Sequence, residues 1–153
     1  MKTDVKVDFE DSIAPWLGKT VKILEYFLQE EMLDHGLDLS KEQMIVLKKL
    51  NEQDGRNQNE LAFLTLRDKS SLTRLLTKME NKNYIVRKQS EEDRRANHVY
   101  ITSLGREIYS KSRPIIQKMI ATMERNISEE EIDDMITTLK KIQYNMTSKK
   151  AFL

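Results

Sequence analysis

Apolar residues recur at three- and four-residue steps along most of this chain, and alternate over only one short stretch. That contrast predicts a mainly helical protein carrying a small β element. Residues 11–35 place Ile13, Trp16, Leu17, Val21, Leu24 and Leu28 on one stripe, which puts Trp16 in the core. Pro15 falls in the first turn, where its missing N–H costs nothing, and Gly36 can end the helix in a left-handed conformation. Ser40 and Gln43 form a capping-box pair for a second helix, with Met44, Leu47 and Leu50 inward and Asp54-Gly55 as its stop. A short third helix starts at the cap Asn57, has Glu60 at the box position, and packs Leu61, Ala62 and Leu64. After the tight connection Thr65-Leu66-Arg67, Asp68 caps a fourth helix with Leu72, Leu75, Leu76 and Met79 as its inner face.

Asn83 follows, where a left-handed residue is needed to turn into a strand and asparagine is tolerated next best after glycine. Residues 84–88 and 98–102 read as two strands joined by a polar turn. In the second, Val99 and Ile101 point one way and His98 and Tyr100 the other, which makes His98 a solvated strand residue rather than a switch. Thr102 or Ser103 caps a fifth helix of about twenty residues, running through Leu104, Ile108, Ile115, Ile116, Met119, Ile120 and Met123. Pro114 inside it predicts a kink or break near residues 110–114. A second capping box, Ser128 with Glu131, opens a last helix. Its Ile132, Met135, Ile136, Leu139, Ile142 and Met146 are spaced nearly as a heptad seam. Such a seam is either intramolecular core or a subunit interface; its distance from the strand region favours the interface.

Composition narrows the function. The chain has 153 residues, 39% hydrophobic and 33% charged, enough for one domain or a small module in a larger helical frame. No apolar run approaches the ~20 residues that span a bilayer. Met1-Lys2-Thr3-Asp4 lacks the apolar stretch of a secretory signal, and there are no cysteines, so the expected compartment is the cytoplasm. Without cysteine, thiol redox sensing and thiolate metal sites are excluded; two isolated histidines, His35 and His98, offer no metal cluster. Net charge is only +1, yet between Arg67 and Arg95 nine Lys or Arg face five Asp or Glu. A weakly acidic frame around a local basic element suits a DNA reader with a separate dimerisation body.

The fourth helix and the hairpin after it carry the candidate chemistry. With its apolar face inward, the helix turns Ser70, Ser71, Thr73, Arg74, Thr77 and Lys78 outward. Arginine can address guanine edges, serine and threonine meet bases or phosphates, and lysine serves phosphate. An ordinary solvated helix face carries the same residue types, so the helix alone decides nothing. The hairpin turn, residues 90–97, is long and highly charged. Arg94 and Arg95 at its tip can enter a narrow minor groove, with Asp93 orienting Arg95. A solubilising loop is the bland alternative, mildly supported by Glu91 and Glu92. Helix, turn, helix and arginine-tipped wing in this order favour DNA.

Asn59-Glu60-Leu61-Ala62, the run from Asp68 to Leu75, the run from Met79 to Arg87, the wing Asp93-Arg94-Arg95 and the exit Ile101-Thr102-Ser103-Leu104-Gly105-Arg106 resemble the MarR family of bacterial transcription regulators. Helix order matches over nearly the whole chain; the specific motifs lie in residues 57–106. Asn83 stands where the family usually has glycine, and Ile101 where leucine is common before the threonine.

The resemblance implies a winged helix-turn-helix lobe at 40–102 and an intertwined helical dimerisation region at 11–36 and 104–148, within a single domain of 1–153. It implies a homodimer on a pseudo-palindromic operator of double-stranded DNA, repression, and release by a small aromatic or anionic effector seated between lobe and dimerisation region. Ser70, Ser71, Thr73 and Arg74 would meet the major groove and Thr77 and Lys78 the phosphates. Arg94 and Arg95, oriented by Asp93, would take the minor groove, and Ile132, Met135, Ile136, Leu139 and Ile142 the dimer contact. No cofactor is implied. Trp16 and Tyr109 could line an effector pocket or be plain packing.

Two rivals stand beside this reading. A helical dimer whose winged helix binds a protein partner would use the last-helix seam equally well, but gives no reason for paired arginines at the wing tip. An enzyme would need a phosphate loop, a nucleophile elbow or metal-ligand spacing, and none is found.

Overall fold

The computed structural model describes residues 9–93 and 97–148. Helix α1 spans Ile13–Asp34 and α2 spans Lys41–Glu52; strand β1 is Arg56–Asn57; α3 is Gln58–Leu64 and α4 is Lys69–Asn81. Strands β2, Ile85–Gln89, and β3, Asn97–Ile101, precede α5, Ser103–Met123, and α6, Glu129–Thr147. The order predicted from periodicity is therefore the order observed, with each strand shifted by one residue and one strand added.

Local chemistry sets the boundaries. Both capping boxes form, Ser40 with Gln43 and Ser128 with Glu131. The Asp68 carboxylate accepts the Ser71 N–H at 2.8 Å, and the Thr102 hydroxyl accepts that of Gly105 at 3.0 Å. Gly36 and Asn83 adopt left-handed φ of 69° and 62°, the conformations their positions were expected to need. Leu66 does so as well, at 53°, in the turn between α3 and α4.

The added strand β1 pairs with β3 through Arg56 and Val99, giving an antiparallel sheet in the order β1-β3-β2. Two residues without an alternating pattern carry no sequence signal for a strand; β3 recruits them as a partner. Asp54 locks the same corner, its carboxylate accepting the Ile101 N–H at 2.9 Å. The His98 ring nitrogen Nδ1 lies 3.0 Å from the Gly55 carbonyl oxygen, so this histidine is half-buried and engaged rather than solvated.

The core gathers Leu28 and Met32 of α1, Val46, Leu47 and Leu50 of α2, and Leu61 of α3. Leu72, Leu76 and Met79 of α4, Ile85, Val99 and Ile101 of the sheet, and Ile115 of α5 complete it. α5 is one helix from Ser103 to Met123 with Pro114 inside it, so the proline does not break it. The place of Trp16 is corrected. Trp16 is not in the core of this chain: it is 60% exposed, together with Ile13 and Val21, because only the C-terminal half of α1 meets α2 and α5. At the other end of the chain α6 buries no residue at all. No helix among the described residues is long and apolar enough to cross a membrane.

Candidate nucleic-acid interface

Full burial of Leu72, Leu76 and Met79 fixes the rotation of α4 about its axis. Ser70, Thr73, Arg74, Thr77 and Lys78 are thereby exposed, while Ser71 is half-buried. Their environments differ. The Ser71 hydroxyl accepts a hydrogen bond from Arg67 Nη1 at 2.6 Å, tying the α3–α4 turn to the first turn of α4. Thr73 donates to the Lys69 carbonyl at 2.8 Å and accepts from Gln58 Nε2 at 2.9 Å. Thr77 donates to the Thr73 carbonyl at 2.9 Å and accepts from Arg87 Nη2 at 3.2 Å. Both threonine hydroxyls thus have their protons committed to the helix, leaving a methyl and an acceptor lone pair for a ligand. Arg74 and Lys78 are the long cations of this face, free to reach a groove edge or a phosphate.

The wing begins on the same helix. Arg87 of β2 donates its backbone N–H to Glu80 Oε2 at 2.9 Å and its Nη2 to Glu80 Oε1 at 3.0 Å. These bonds hold the Glu80 carboxyl below the usual carboxylate range, the guanidinium bond contributing most and the backbone N–H next. β2 and β3 pair from Ile85 opposite Ile101 out to Gln89 opposite Asn97. Lys88 lies over the Tyr100 ring at 5.3 Å near the outer end. The turn starts with the Asp93 N–H on Ser90 Oγ at 3.3 Å. Arg94 and Arg95, expected to carry the minor-groove contact, lie outside the described residues.

At its base the wing is fastened to α5. The Tyr84 carbonyl accepts the Thr102 N–H at 3.1 Å, and the Thr102 hydroxyl donates to the Asn83 carbonyl at 2.6 Å. Sequence reasoning identified the outward face of α4 but missed Gln58, Arg67, Glu80 and Arg87, which hold that face and the wing in place. A signal existed for one pair: a carboxylate in the last helical turn with an arginine a short turn later.

Two further surfaces were anticipated. On α6, Met135 and Ile136 are exposed, and Ile132, Leu139 and Ile142 are half-buried. Between α2 and α5 lies an open cavity of about 430 Å³, with Met44, Tyr109, Ile116 and Ile120 as apolar lining and Lys48 and Arg113 as cations. Tyr109 lines it and Trp16 does not. Among the described residues no cluster of His, Asp and Glu could hold a metal ion.

Known proteins share this arrangement. The MarR family model matches residues 39–96, from just before α2 into the wing. The HTH-type transcriptional regulator SarZ of Staphylococcus aureus (strain USA300) is 31% identical over 131 residues, covering 82% of this chain and 87% of that protein. Among solved structures, the transcriptional repressor CouR bound to a 23-mer DNA duplex superposes with a TM-score of 0.80 at 19% identity, over 92% of this chain and 99% of that one. Bordetella bronchiseptica BpsR, whose DNA binding is regulated by 6-hydroxynicotinic acid, superposes with a TM-score of 0.81 at 17% identity, over 90% of this chain and 97% of that one. At these identities the two structures establish the shared fold. With a relative 31% identical over most of both chains, and the family model matching the region from α2 into the wing, the chain belongs to the MarR family of transcription regulators.

Proposed function

We propose that this protein is a homodimeric repressor that reads a pseudo-palindromic operator. The observation that carries the reading is the rotation of α4: complete burial of Leu72, Leu76 and Met79 turns Ser70, Arg74 and Lys78 to solvent on the helix to which the wing is bonded. α4 enters the major groove, where Arg74 addresses a guanine edge and Lys78 a phosphate. Arg94 and Arg95 at the wing tip, steered by Asp93, enter the flanking minor groove. CouR, whose fold this chain shares, is bound to a DNA duplex in its structure, which supports docking of this fold on DNA. Residues 40–102 act as the DNA lobe, and residues 11–36 and 104–148 as the dimerisation region. The unburied seam of α6 and the exposed Ile13, Trp16 and Val21 of α1 supply apolar area for the partner. Two-fold symmetry then sets half-sites about 34–36 Å apart, one turn of the duplex.

Release by an effector uses the cavity between α2 and α5. Its volume falls in the range of small-molecule sites, and Lys48 and Arg113 beside Tyr109 and Met44 suit an aromatic carboxylate. Filling it would shift the DNA lobe against α5. BpsR, which responds to an aromatic acid, lends this support.

Fluorescence anisotropy against a duplex from the DNA upstream of its gene, at several salt concentrations, tests the reading. Nanomolar binding with a steep salt slope, lost in Arg94→Ala/Arg95→Ala, is expected. Weak binding indifferent to that double substitution, on random-sequence duplexes too, would point instead to a protein partner.

A further inference from the structure

Glu80 sits in the last turn of α4, where a negative charge opposes the helix dipole, so helix stability does not explain it. Its bonds do. One carboxylate oxygen takes the backbone N–H of Arg87, and the other takes the Arg87 guanidinium. β2 is the terminal strand of the sheet, and this N–H is given to Glu80 on the side where no further strand lies. The guanidinium also reaches back one helical turn to the Thr77 hydroxyl, on the exposed face of α4. A backbone bond and a side-chain bond to one carboxylate fix the strand in both translation and rotation, which a single flexible ion pair does not. The Arg87 side chain is 20% exposed and that of Glu80 37%, so water competes only partly.

We propose that Glu80 and Arg87 are positioning residues for DNA recognition. They latch the first wing strand to the recognition helix and set the angle at which helix and wing meet the duplex together. The inference rests on the reading of α4 and the wing as the DNA-contacting elements. A rotation at Arg87 would be carried outward along β2 toward the wing turn. The latch also holds the Thr77 hydroxyl in one rotamer, since it donates to Thr73 and accepts from Arg87.

A double-mutant cycle on the full chain separates positioning from general support. The probe is a duplex that the wild-type protein selects from a randomised pool, titrated at low salt so that weakened variants remain measurable. Glu80→Gln is expected to weaken binding about tenfold in the wild-type background. In the Arg94→Ala/Arg95→Ala background, where no wing contact is left to be positioned, it should cost nothing further. Arg87→Lys keeps the charge and the backbone donor but loses the fork, and should behave in the same way with less risk to folding. Equal losses in both backgrounds would show that the pair merely supports the lobe, and no loss in either would show that it positions nothing; each overturns the proposal. If no duplex is selected, or if the wing-tip variant binds like wild type, the DNA reading itself fails and the latch falls with it.

Discussion

A Cβ on Gly105 would stand 2.2 Å from the backbone carbonyl oxygen of Tyr84. The first turn of α5 therefore lies directly on the chain entering the wing, closer than any side chain permits. The Tyr84 carbonyl uses that proximity to accept the Thr102 N–H. Gly105→Ala must separate helix from strand, and backbone cannot yield as a flexible side chain would. A loss of about 2–3 kcal/mol in urea denaturation is expected. An unchanged midpoint would mean that α5 and the wing base are not in contact in solution.

Two left-handed residues make opposite predictions. Asn83 tolerates its φ of 62°, so Asn83→Gly should be nearly neutral, while Asn83→Ala should cost about 1 kcal/mol. Leu66 holds a φ of 53° with its side chain 73% exposed, so little burial offsets the strain. Leu66→Gly is expected to raise the melting temperature. A fall would show that the Leu66 side chain packs against something when the protein is assembled.

Glu80 gives acid stability a definite sign. Its folded carboxyl titrates below the ordinary value of 4.5, so the Arg87 pair contributes fully above that value and is lost as pH falls through the depressed one. Glu80→Gln removes this dependence. Melting temperatures recorded from neutral pH down past 4.5 should converge for variant and wild type at the acid end; curves that stay parallel would deny the pair any linkage to folding.

Arg74 and Lys78 should fail differently on DNA. Arg74→Ala is expected to relax discrimination at one base pair of each half-site, seen by titrating single-base variants of the duplex. Lys78→Ala should weaken all duplexes alike and reduce the salt slope by about 1 per protomer. Identical behaviour of the two variants would assign both side chains to phosphate.

The α6 seam predicts the state of association. Met135→Glu/Ile136→Glu places two charges on the apolar face and should leave a monomer in sedimentation equilibrium. A dimer that survives both charges would move the interface off α6.

How much of this was legible in the sequence depended on the range of the interaction. Caps, left-handed turns and the inner face of α4 are decided within a few residues, and Ser40, Asp68, Asn83 and Ser128 do what their neighbours imply. β1 was not legible, because Arg56 and Asn57 become a strand only through pairing with Val99 and His98, some forty residues away. Trp16 shows the complementary failure: an apolar stripe states that a face is apolar, not whether its own chain or a partner covers it. For the candidate site, the residues facing outward were readable from the inner face of α4. Those that orient them, Gln58, Arg67 and Arg87, act across turns and were not.

The bond from Arg87 to Glu80 also bears on solubility. The outer strand of a sheet offers unpaired N–H groups onto which another chain can add a strand, the first step of edge-to-edge aggregation. Here one edge, β1, is only two residues long, and on the other a carboxylate from the neighbouring helix already occupies the Arg87 donor. An incoming strand would have to displace a charge-assisted bond before it could pair there. At Arg87 the outer strand of the wing therefore has no free donor with which to template another chain.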